Sequence, residues 1–310
     1  MTGKSIFIVH AHPEPRSLNA ALKDLAVHTL SEAGHHVEVS DLYAMGWKAA
    51  ADGADFPRRD PAERLHYGRA SRAAFDAGAQ ADDVRAEQDK LLRADAVILQ
   101  FPLWWFSVPA ILKGWVDRVF ANGFAYGVGL GEGKRYGARY GEGTLAGKRA
   151  LVALTAGGQP GHFSARGVNG HLEDLLFPLT HGTLYYTGMQ VLRPFAVFGA
   201  NRFSDEQYAA AAAAYTVRLG GLFDEAPIPF RSQNGPDYDD ELQLRPGLEE
   251  NRAGPAIHEA THQAAPGRTV ATPATPERAA ATPAVLGLSM ATPAATDQAT
   301  TSPAMPGSSA

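Results

Sequence analysis

The chain has 310 residues, 20% of them charged and 45% hydrophobic, with a formal net charge of -5. That is the composition of an ordinary globular protein with room for one large domain or two. The acidic balance argues against a nucleic-acid binder, which would show a basic face, and the lack of cysteine excludes disulfides, thiol redox chemistry and thiolate metal sites.

From the start of the chain, MTGKSIFIVHAHP has only four apolar residues in a row, too few for the core of a signal peptide. No later run approaches the roughly eighteen apolar residues of a membrane span, so the expected location is the cytoplasm. Residues 5–10 read as a buried strand rich in β-branched and aromatic residues. The loop AHPEPRSLN follows, in which Ser17 or Asn19 can cap a helix. Leu18, Leu22, Leu25 and Leu30 then mark one helical face up to about Gly34, and residues 37–40 are a second strand. Strand, helix and strand at this spacing form a βαβ unit and imply a parallel sheet.

Residues 43–83 are polar and alanine-rich, an excursion with short helices, and residues 86–93 are helical. They lead into the apolar central strand at 96–100, a turn signal at Pro102 and three consecutive aromatics, Trp104, Trp105 and Phe106. Pro109 stands in the first turn of the next helix, whose apolar positions are Ile111, Leu112, Trp115, Val116 and Val119. Ligands of open parallel sheets bind beyond the carboxyl ends of the strands. At least one of the three aromatics is therefore expected to face a ligand, the alternative being a hydrophobic corner.

Residues 123–147 hold nine glycines and are expected to be a mobile or ligand-covering loop. Its cations Lys134, Arg135 and Arg139 are expected to be solvated rather than to meet a nucleotide phosphate. Gly147-Lys148 is not a P-loop, because Glu142 and Arg149 stand where glycine and Ser/Thr are required. Residues 149–155 are a fourth strand ending at Thr155-Ala156-Gly157-Gly158, residues 191–198 a fifth, and Ser204-x-x-Gln207 a capping box that opens a helix to about Phe223. His10 and His12 alternate as metal ligands can, but no third ligand is evident, so no metal is expected. His181, in apolar surroundings, is expected to be structural.

The fold class is thus α/β: a flavodoxin-like, doubly wound, five-stranded parallel sheet of order 2-1-3-4-5 over residues 1–238. Beyond Tyr238 no aromatic residue occurs, and ATPA recurs at Ala271, Ala281 and Ala291. Residues 239–310 therefore read as a Pro/Thr/Ala-rich, low-complexity disordered tail that cannot bury a core.

FPLWWFSVPAILKGWVDRVF, together with SDLYAM, FAY at 124–126 and TAGG at 155–158, resembles the signature of the NAD(P)H:quinone acceptor oxidoreductases, the DT-diaphorase family. The likeness covers roughly residues 4–230. It implies a flavodoxin-like homodimer with shared active sites, holding FAD rather than FMN. Such an enzyme passes hydride from NAD(P)H through the flavin to a quinone, by a ping-pong route. His12, Ser17, Leu18 and Asn19 would meet the FAD phosphates and ribityl chain. Pro102, Leu103, Trp104, Trp105 and Phe106 would wrap the isoalloxazine, and Thr155, Ala156, Gly157 and Gly158 its pyrimidine edge. Trp105, Phe106, Gly157, Gly158 and His162 would border the substrate, and Tyr126 would cover it from the other subunit.

Four positions depart from the family. Trp104 replaces glutamine and Val128 replaces a second tyrosine, while Phe163 and Asn169 stand where a tyrosine and histidine would relay a proton. Phenylalanine has no proton to give, and the adjacent His162 is the available substitute. Other functions compatible with the same residues are a nitro- or azo-compound reductase, a regulatory flavoprotein subunit of a potassium efflux system, and a scaffold without flavin.

Overall fold

The computed structural model describes residues 3–130 and 136–260. Six strands form one parallel sheet: β1 (Ser5–His10), β2 (His36–Asp41), β3 (Ala96–Pro102), β4 (Arg149–Ala156), β5 (Gln190–Val191) and β6 (Phe195–Phe198). Their order is β2-β1-β3-β4-β5, with β6 also beside β4. This is the expected doubly wound order.

The sheet is buried on both sides because alternate side chains feed two cores. Ile6 and Ile8 pack with Leu22, Ala26 and Leu30 of α1 (Leu18–Glu32) and with Tyr215 of α6 (Asp205–Gly220). Phe7, Val9, Val97 and Leu99 pack on the other side, with Leu91 of α3 (Asp82–Arg93) and Leu112 and Trp115 of α4 (Ala110–Val119). Every residue of β3 is buried. The excursion before α3 holds a short 3-10 turn and α2 (Tyr67–Asp76), and α5 (Leu172–Leu179) precedes β5.

Several boundaries differ from the sequence reading. Pro102 is not a turn: it ends β3, in register with Thr155. Its missing N–H costs nothing at a strand end. Pro109 caps α4 from outside, with φ -54 and ψ 148, rather than sitting in its first turn. Leu18 and Asn19 belong to α1 itself, whose cap is Ser17. The fifth strand is broken in two because Leu192, Arg193 and Pro194 interrupt it, and proline cannot continue a ladder.

The chain beyond Tyr238 also carries more than the tail reading allowed. Up to Ala260 it folds back on the domain: the Tyr238 hydroxyl lies 2.9 Å from His258 Nδ1, Arg231 pairs with Glu249, and Phe230 bridges Glu259. The expected boundary at 238 therefore falls inside packed structure, and the rest of the tail, residues 261–310, lies outside the described residues.

Candidate functional site

The carboxyl ends of β1, β3 and β4 converge, and each contributes a segment. After β1 the chain turns into α1. The Ser17 hydroxyl accepts from the Ala20 N–H at 3.1 Å. The N–H groups of Leu18 and Asn19 have no partner among the described residues, as the first amides of a helix do not. Two free amides at the positive end of a helix dipole are suited to an anion. His12, half-buried, takes the Glu14 N–H on Nδ1 at 3.0 Å. Burial lowers its pKa, so it is neutral at pH 7. Its ring lies 6.2 Å from that of Trp104.

Of Asn19, only the backbone N–H is open at the helix start. The residue is buried, and its side chain donates to the Thr155 hydroxyl at 3.2 Å. Its backbone oxygen accepts from Gln100 Nε2 at 2.7 Å, and Gln100 in turn accepts from the Tyr215 hydroxyl at 3.1 Å. This buried chain ties the start of α1 to β3, β4 and α6. Gln100 and Tyr215 were not predicted; the available signals were a glutamine inside an apolar strand and a tyrosine in an alanine-rich helix.

After β3 the backbone makes a two-residue reversal. Trp104 and Ser107 exchange both N–H to oxygen bonds, at 3.1 and 3.0 Å. Trp105 and Phe106 between them have φ of 49° and 61°. Both values lie in the left-handed region that a type I′ turn demands and that bulky side chains avoid. The cost is about 1–3 kcal/mol per residue. Trp105 is 94% exposed, Phe106 47% and Trp104 42%, so packing does not repay it. The three rings are thus exposed beyond the end of β3. Leu103 anchors the turn by donating to Thr155 O at 2.8 Å.

At the end of β4, Thr155 and Ala156 are buried strand residues, while Gly157 is exposed. Neither the Gly157 nor the Gly158 N–H has a partner among the described residues. A Cβ on Gly157 would lie 2.6 Å from the Asn201 side chain, and one on Gly158 2.9 Å from the Phe163 ring. The buried Phe163 ring thus requires glycine at 158, whereas the exposed Asn201 side chain could move aside for a Cβ at 157. Asn201 carried no sequence signal.

The proton-relay positions share one loop. Phe163 is buried with its ring 5.2 Å from Phe198, and so serves the core under Gly158. His162 is exposed beside it, and its backbone oxygen accepts the Asn169 N–H at 3.0 Å. No group of three or more candidate metal ligands occurs among the described residues. His10 is buried against Asp41 at 3.2 Å.

Tyr126 does not join this constellation within one chain. It lines a separate cavity of about 500 Å³ with Tyr67, Phe120, Gly182 and Tyr186. Of the three cations in the glycine-rich segment, Arg139 is not solvated. It donates to Gln233 and lies 5.4 to 5.9 Å from the rings of Tyr136, Tyr140 and Tyr186. Lys134 and Arg135 lie outside the described residues, as does the middle of the expected covering loop. Lys148 donates to the Leu92 and Ala94 carbonyls, away from any phosphate role.

Compared with known proteins, residues 4–219 match the family described as having a flavodoxin-like fold. A ribosyldihydronicotinamide dehydrogenase-like protein of Penicillium crustosum is 49% identical over 75% of this chain and 86% of its own length. The NAD(P)H dehydrogenase [quinone] 1 of Cavia porcellus is 38% identical over 72% of this chain and 78% of its own. Among solved structures, a provisionally assigned quinone reductase from Klebsiella pneumoniae superposes with a TM-score of 0.81 at 50% identity, over 83% of this chain and all of that one.

Proposed function

The chain belongs to the flavodoxin-like family that includes the NAD(P)H dehydrogenases acting on quinones, and on that premise we propose that it is an FAD-dependent quinone reductase using NAD(P)H. The observation that carries this reading is the pair of exposed, strained aromatics facing outward where β3 ends, with two unpartnered amides at the end of the neighbouring β4. A flat, electron-poor ring with a hydrogen-bonding edge fits that arrangement. When bound, the flavin would supply hydride chemistry, taking two electrons from the dihydronicotinamide and delivering them to the acceptor in alternate half-reactions.

The protein's own part is positioning and electrostatics. Trp105 and Phe106 offer their faces for stacking and exclude water. The Gly157 and Gly158 amides stand ready for negative charge developing on the ring edge. The amides of Leu18 and Asn19 and the dipole of α1 would hold phosphate. Phe163 gives no proton, so exchange with solvent is left to the exposed His162 or to water. The motif resemblance supports FAD over FMN. The reading also includes a homodimer: Tyr126 and Tyr186 line a cavity remote in sequence from the turn, and a second copy would bring them over it. Among the described residues no helix is long and apolar enough to cross a membrane, which accords with a cytoplasmic location. The same open turn would admit nitro and azo compounds.

A second reading concerns the reductant. The relative at 49% identity is named for ribosyldihydronicotinamide, and that at 38% for NAD(P)H. This favours testing a truncated dihydronicotinamide lacking the adenylate half.

The purified protein should be yellow, release FAD on heating, scatter light as a dimer and give parallel double-reciprocal plots with a benzoquinone. Initial rates with NADH, NADPH and N-ribosyl dihydronicotinamide decide the reductant. A colourless protein that takes up no added FAD overturns the proposal; released FMN overturns its choice of flavin.

A further inference from the structure

A second cavity, of about 380 Å³, lies on the excursion before α3 and shares no lining residue with the strand ends described above. Its floor is one face of α2: Ala70, Ala73, Ala74 and Ala77, at the i, i+3, i+4, i+7 spacing of a helical stripe. Its rim is cationic, with Arg58, Arg59, Arg64 and Arg69 against one carboxylate, Glu63. In a chain of net charge -5 that is a local reversal of sign.

These arginines differ from their neighbours. Arg72, on the same helix, pairs with Asp76 at 2.8 Å, and Arg118 is held by Asp55 and Asp83. Arg58, Arg64 and Arg69 make no ion pair or side-chain hydrogen bond among the described residues. Arg59 is the organiser of the rim. Its Nη1 donates to the carbonyls of Asp60 and Glu63 at 2.7 and 2.6 Å, which curls the 56–66 loop around it. Its Nε is buried with no partner.

Solvation accounts for a single exposed arginine. It does not account for four on one small cavity, because like charges held together repel. That penalty falls if an anion enters. Guanidinium forks match phosphate oxygens two at a time, better than lysine would. The alanine floor offers apolar surface for whatever the phosphate is attached to. The volume is at the low end of the ~300–1,000 Å³ usual for small-molecule sites, enough for one ring and its phosphate.

We propose that this cavity binds a small organic phosphate, its phosphate group among Arg58, Arg59, Arg64 and Arg69 and its apolar body on the alanine face of α2. The opposite face of that helix is already engaged: the Ser71 hydroxyl accepts the Asn122 N–H at 3.0 Å, and the Phe75 ring lies 6.4 Å from that of Phe124. An occupant would therefore stiffen a helix that borders the segment carrying Tyr126.

The test is calorimetric titration of the full-length purified protein, at low salt, with phenyl phosphate and with inorganic phosphate. Phenyl phosphate should bind, about tenfold or more tighter than inorganic phosphate, and weaken as salt is added. The double variant Arg58→Gln/Arg69→Gln should bind at least about tenfold more weakly at an unchanged melting temperature, both side chains being exposed. Ala73→Asp, which leaves all four arginines in place and charges the floor, should do the same. Absence of phenyl phosphate binding to the unaltered protein, or unaltered affinity in both variants, overturns the proposal.

Discussion

The rings of Trp104, Trp105 and Phe106 stand open at the strand ends, whereas those of Tyr140, Phe177, His181, Tyr185 and Phe230 are closed on one another. In the second group His181 is stacked on Phe177 at 4.5 Å and 10°, and on Tyr140 at 4.8 Å and 28°, with Phe230 edge-on at 4.9 Å. His258 adds a further ring at 5.5 Å. The Tyr185 hydroxyl donates to Phe230 O at 3.0 Å, and burial pushes its pKa up to about 12. Four distant parts of the chain meet there, so the cluster works as cement. The open trio sits on a backbone that costs energy and returns no packing. Aromatic content alone does not distinguish a site from a core; the distinction lies in whether the ring faces are already used and what the backbone gives up to present them.

The sharpest way to break this contrast is to delete one ring from each group. Phe230→Ala should lower stability by about 2–4 kcal/mol, because it leaves a cavity against Phe177, His181 and Tyr185. Denaturant unfolding measures the loss, and flavin content per folded molecule should not change. If Phe230→Ala instead spared stability and emptied the site, the cluster would not be cement.

Trp105→Gly should behave in the opposite sense. Glycine adopts φ of 49° without strain, so the melting temperature should hold or rise slightly. Turnover of quinone should fall by about 10- to 100-fold, the loss of roughly 1.5–3 kcal/mol of stacking and apolar contact. Steady-state kinetics and a melting curve on one preparation decide it. A destabilised but fully active variant would reverse the assignment.

The smallest effect is a pH dependence. Burial lowers the His181 pKa to about 4, with the neighbouring His258 as a lesser cause, and His258 is itself lowered by burial and by Arg231. The unfolded chain protonates these rings near pH 6.5, so below that pH it binds more protons than the fold does. Stability should be full above about pH 6.5 and decline as pH falls toward 4. Replacing His181 with phenylalanine keeps the stack and removes one proton site, so the melting temperature should drop less between pH 7 and pH 5. An unchanged slope would show that other groups set the acid response.

Much of the architecture could be read directly from the amino acids. Continuous apolar runs at 5–10 and 96–100 read as buried strands of a parallel sheet, and Ser17 and Ser204 cap the helices they precede. The aromatic run places three exposed rings at the end of β3. What it could not announce was the left-handed turn at Trp105 and Phe106, since neither residue type favours that conformation and no glycine marks it. The role of Asn19 was equally hidden, because its partner Thr155 is 136 positions away. The stretch from 239 to 260 was taken for tail because it lacks aromatics. It is held instead by His258 against Phe177 and by Arg231 and Arg193 paired with Glu249 and Glu259, and charged residues in a sequence look the same whether solvated or paired.

The hydrogen-bonded line from Tyr215 through Gln100 to Asn19 and Thr155 has a consequence for how the protein can vary. Tyr215 sits on α6, packed against the opposite side of the sheet from α4, and never approaches the open trio. Its hydroxyl nevertheless ends a rigid strut whose other end fixes the first turn of α1 and the last residues of β4. Substitutions in an alanine-rich helix can therefore reset the spacing of both unpartnered amide pairs without altering any residue beside them.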